Sequence, residues 1–121
     1  MSDELQHAAR LGQTEKVRQL LDAGAKIDFA SEQGYTALIE AAFRNRVETV
    51  TLLLEKGARV DAQSRSGWTA LMSAAWEGHV DVVRLLLAKG ANQRLENSRG
   101  ETARSLAESA GRREVVALLS K

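Results

Sequence analysis

Two histidines, His7 and His79, are the first residues to test for catalysis. A histidine acts as a general base only when a nucleophile is held beside it and a third group orients it. Neither has a serine or carboxylate in a sequence context that would assemble such a triad, and the two occupy non-equivalent places in the chain. No cysteine is present, which removes thiol nucleophiles, disulfides and thiolate metal sites. Asp28 and Asp61 recur at matched positions, 33 residues apart. Neighbouring helices pack ~8–10 Å apart, so carboxylates one layer apart do not share a metal, and each is expected to cap its own turn. No catalytic residue, metal ligand or cofactor site is expected, and the chain is read as a non-enzyme.

The chemistry that remains is that of rings. Phe29, Tyr35, Phe43, Trp68 and Trp76 are the five aromatic residues. Tyr35 and Trp68 are equivalent, each directly after a glycine, and Phe43 and Trp76 are equivalent in turn. Aromatic side chains bury ~150–250 Å² each, so four half-exposed rings present on the order of 300–500 Å². That matches the ~300–600 Å² of the largest apolar patch on a typical monomer, a patch that is often functional.

The elements that position these rings follow from a period. Gly34, Gly67 and Gly100 fall 33 residues apart, as do Gly24, Gly57 and Gly90. Thr36, Thr69 and Thr102 keep the same step, and so do Val17, Val50, Val83 and Val116. A period of this size means stacked supersecondary units, none of which buries its apolar face alone. Within one unit, Thr36 is placed to cap a short helix ending near Phe43. Gly12, Gly78 and Gly111, with Asn45 in the deviant unit, suit the left-handed turn that ends it. A second helix is expected from about Val47 to Lys56, with Val50, Leu53 and Leu54 on its buried stripe and Gly57 stopping it. Glu15, Glu48, Asp81 and Glu114 sit where the N-terminal ends of the second helices favour negative charge. Ala58 to Gly67 reads as an extended, hairpin-like loop.

Gly34 to Ala42 reads G-Y-T-A-L-I-E-A-A and Gly67 to Ala75 reads G-W-T-A-L-M-S-A-A. Both resemble the ankyrin pattern G-x-T-P-L-H-x-A-A, and Gly78 to Ala91 is similar to the family's second-helix segment. The resemblance runs from Asp3 to Leu119 and implies an all-α ankyrin-repeat solenoid of antiparallel helix pairs joined by β-hairpin-like loops. It is read as a single domain over 1–121: an N-terminal capping unit (1–30), repeats at 31–63 and 64–96, and a C-terminal capping unit (97–121). The family's proline is replaced by Ala37, Ala70 and Ala103, and its histidine by Ile39, Met72 and Ser105. In the family that histidine ties neighbouring loops by hydrogen bonds, so apolar packing is expected to take its place here. His79 matches the family's turn histidine and is read as structural.

The resemblance also implies that Tyr35, Phe43, Trp68 and Trp76 stand at variable positions on a concave face of loops and first helices. They are taken as anchors for a protein partner, with Arg44, Arg65 and Glu77 as a charged rim. The competing reading of the rings is that they pack locally and brace adjacent repeats. The net charge of +1 and the interleaved acids Glu32, Glu40 and Glu77 argue against nucleic acid as partner. No run approaches the ~20 apolar residues of a membrane helix. The segment from Met1 to Leu5 lacks the basic and apolar regions of a signal peptide, so a cytoplasmic setting is expected. The expected molecule is a monomeric adaptor, scaffold or inhibitor with no membrane, nucleic-acid or small-molecule partner. Alternatives are an engineered scaffold without a natural partner, or self-association through the aromatic patch.

Overall fold

The structure is a computed structural model that describes residues 3–119. Residues 1, 2, 120 and 121, at the outer ends of the expected capping units, lie outside the described residues. Among the described residues there are eight helices and no strand. They form four antiparallel pairs: α1 (Glu4–Leu11) with α2 (Thr14–Asp22), α3 (Ala37–Phe43) with α4 (Val47–Glu55), α5 (Ala70–Glu77) with α6 (Val80–Ala88), and α7 (Ala103–Ser109) with α8 (Arg113–Leu119). The first helices stack in one row, α1 on α3 on α5 on α7. The second helices stack in a looser row behind them, α2 to α8. The resulting solenoid is all-α, as the ankyrin resemblance implies. None of the described helices is long and apolar enough to cross a membrane.

Small residues explain the tighter row. Ala37, Ala41 and Ala42 of α3 and Ala70, Ala74 and Ala75 of α5 are wholly buried, so adjacent backbones approach closely. The second helices contribute Val17, Val50, Val83, Leu53 and Leu86, also wholly buried, one stripe per helix. Each first helix after α1 starts at a threonine cap. Thr36 Oγ1 accepts from the Ile39 N–H at 3.2 Å, Thr69 from Met72 at 3.1 Å and Thr102 from Ser105 at 3.2 Å. Asn45 takes the left-handed conformation at φ 59°, as a glycine substitute should.

The positions that depart from the family pattern divide by unit. Ile39 and Met72 are buried in the core, which is the apolar substitution expected of them. Ser105 instead closes a capping box, its Oγ accepting from the Thr102 N–H at 2.9 Å. Gln6 holds the same register and is buried, with Nε2 donating to the Phe29 carbonyl at 2.8 Å.

Two sets of hydrogen bonds lock one pair to the next. At the loop tips the Arg65 N–H donates to the Gln33 carbonyl at 3.0 Å, and Ser98 to Ser66 at 2.9 Å. Behind the tips, Asp28 Oδ1 accepts from the Arg59 N–H and Asp61 Oδ1 from the Asn92 N–H, each at 2.9 Å. The expectation that these aspartates cap their own turns is thereby corrected. Each instead reaches the following unit, whose backbone N–H stacking brings within hydrogen-bond distance.

Candidate functional site

The rings are set by the same caps and loops. Tyr35 and Trp68 precede the capping threonines, in turns pinned from both sides. The Tyr35 N–H donates to Ser31 Oγ at 3.2 Å while its carbonyl accepts from the Ser31 N–H at 3.0 Å. Trp68 repeats this with Ser64, at 3.1 and 2.8 Å. Phe43 ends α3, and Trp76 is the next-to-last residue of α5.

A hydrogen-bond ladder fixes these helix ends. Arg46 Nε donates to the Arg10 carbonyl at 2.9 Å, and Arg112 Nε to the Trp76 carbonyl at 3.0 Å. Between them, His79 Nε2 lies 3.0 Å from the Phe43 carbonyl. A carbonyl only accepts, so Nε2 carries the proton. His79 therefore has a structural role, and the backbones of Phe43 and Trp76 are tied to the following unit.

The loop tips and first helices enclose a cavity of about 370 Å³. All four rings expected as anchors, Tyr35, Phe43, Trp68 and Trp76, line it, together with Arg44 and Glu77. Arg65 does not: it is exposed at the loop tip, with its backbone N–H committed to Gln33. Ile39 and Ser73 also line the cavity; both are buried, and Ser73 Oγ donates to the Thr69 carbonyl at 3.1 Å. Glu40 and Ser66 complete the wall. Glu40 and Ser73 are matched positions three residues before Phe43 and Trp76, hence on the same helix face. That spacing was the available signal for adding them to the site.

The rings are not alike. Tyr35, Phe43 and Trp76 are 37, 40 and 38% exposed. Trp68 is half-buried and packs against the core, so bracing of the stack applies to it. Among the described residues none of the four stacks on another ring, and the one cation–ring contact is Arg44, whose guanidinium lies 5.8 Å from the Phe43 centroid. Three large apolar surfaces thus face solvent at positions the core does not use. Glu40 is held by Arg10, with Nε to Oε1 at 3.3 Å, whereas Glu77 makes no ion pair among the described residues. Among the described residues no group of acidic or histidine side chains is disposed to hold a metal ion.

Comparison with known families finds matches at residues 5–54 and 40–87 to a model described as ankyrin repeats in many copies. A search of curated proteins returned no match.

Proposed function

The chain belongs to the ankyrin-repeat family, and from that premise we propose that it is a protein-binding module working through the aromatic cavity of its loop and first-helix face. Repeats of this family are in general protein–protein interaction modules, and the family is generally non-catalytic. The observation that carries the assignment to this face is the exposure of Tyr35, Phe43 and Trp76 around one cavity. Burying such rings against a partner recovers apolar area that the fold itself leaves in water. Because the ladder and the pinned turns hold the rings in place, little ordering is required when a partner docks. Such a surface suits an adaptor, scaffold or inhibitor acting as a monomer, and a cytoplasmic setting is part of the proposal, checked by fractionation of the source cells.

The test compares wild type with a Tyr35→Ala, Phe43→Ala, Trp76→Ala variant in partner capture and titration. Trp68 is left in place because it supports the core. Circular dichroism melts establish that both proteins fold. Truncating a hot-spot ring costs about 2 kcal/mol or more, so a partner bound by wild type is expected to be lost from the triple variant. Equal binding by the two proteins would move the interface to another face.

A further inference from the structure

We propose that the aromatic cavity receives one cationic side chain, a lysine or arginine presented by a basic segment of the partner protein, an inference that rests on the protein-binding reading above. Four rings line the cavity, and three of them, Tyr35, Phe43 and Trp76, are each more than a third exposed, so part of each remains accessible to an incoming group. The face of an aromatic ring is the negative end of its quadrupole, and it attracts a cation within ~6 Å of the centroid. This chain already shows that attraction in Arg44 over Phe43, at 5.8 Å.

The carboxylates select the sign of the occupant. Glu40 is neutralised by Arg10, but Glu77 stands half-buried at the wall with no ion pair among the described residues. An apolar side chain entering the cavity would strip water from Glu77 and give it no partner. An acidic one would meet both Glu77 and the negative ring faces. A lysine or arginine satisfies both, its methylene stem lying along the rings and its head meeting the carboxylate. Among the described residues Arg44 is the one competing cation in the wall; it is exposed and can turn outward to water.

The experiment uses the chain's own reporters. Trp68 and Trp76 are its only tryptophans and both line the cavity, so the two indole N–H signals in a proton–nitrogen correlation spectrum report on it directly. The full chain is titrated with N-acetylated, C-amidated tripeptides in which glycines flank a lysine, an arginine, a norleucine or a glutamate. Norleucine keeps the alkyl stem of lysine and lacks its charge. The lysine and arginine peptides are expected to move both indole signals saturably and to bind about three- to fivefold tighter than the norleucine peptide. Glu77→Gln should erase most of that difference, and Arg44→Gln should tighten lysine binding about twofold. Both are exposed or half-buried surface changes, and melts verify the fold. Equal binding of norleucine, preference for glutamate, indole signals that respond to none of the peptides, or an unchanged lysine affinity in Glu77→Gln would each overturn the cationic assignment. Norleucine binding as strongly as lysine would do so while leaving the aromatic face in use. Loss of the face itself is read from the capture experiment with the triple variant.

Discussion

Replacing Gly67 by alanine tests how closely adjacent loops are stacked, and Gly57→Ala supplies its control. Both glycines have positive φ, 83° and 92°. The left-handed backbone alone costs an L-residue about 1–2 kcal/mol, so the two substitutions share that penalty. They differ in what the new methyl group meets. At Gly57 nothing lies within 4 Å. At Gly67 it would stand 2.8 Å from Asn97 Cα, 3.0 Å from Ser98 N and 3.1 Å from Asn97 C. These are backbone atoms in the turn whose Ser98 N–H donates to Ser66, so no flexible side chain can swing aside. Overpacking of this kind costs about 1–3 kcal/mol. Gly67→Ala is therefore expected to lose roughly 2–5 kcal/mol, against about 1–2 kcal/mol for Gly57→Ala. Urea unfolding followed by circular dichroism measures both, on a total stability of about 5–15 kcal/mol for a domain of this kind. Equal losses would refute the close approach of the two loops, and with it the account of why a glycine precedes Trp68.

Thr69→Ala removes the cap bond to Met72 and should cost about 1 kcal/mol in the same unfolding assay. His79→Arg should leave stability nearly unchanged, because Arg46 and Arg112 make the equivalent bond in flanking units; His79→Leu should lose about 1 kcal/mol. A loss in His79→Arg as large as that in His79→Leu would remove the ladder as a stabilising element. Sedimentation equilibrium of wild type and Trp76→Ala is expected to give the monomer mass for both, and concentration-dependent mass lost in the variant would turn the patch into a self-association surface.

Contacts within a unit were legible in the sequence. The threonine caps, the left-handed Asn45 and the second helix stopping before Gly57 follow from residue type and local spacing. Contacts between units were not. Asp28 and Asp61 show why: a carboxylate in a turn has a local and a remote donor within reach, and only the stacking offset chooses the remote one. The same offset decides that Arg65 stays outside the cavity that admits Glu40. Register names the positions on a face; the offset between layers decides which of them share a cavity.

Phe43 and Trp76 each serve two roles through different atoms. Their carbonyls accept the ladder bonds from His79 and Arg112, while their rings line the cavity and stay out of the core. The fold therefore depends on the backbone at these positions and leaves the side chain free to vary. That separation explains how a repeat can change what it binds without changing how it stacks. Truncating the ring removes area that the core cluster does not use, whereas losing the hydrogen bond from His79 or Arg112 is expected to loosen the helix end beneath the ring. On the proposed reading, residues such as His79 and Arg112, which hold the backbone and do not line the cavity, would set how the rings are presented to a partner.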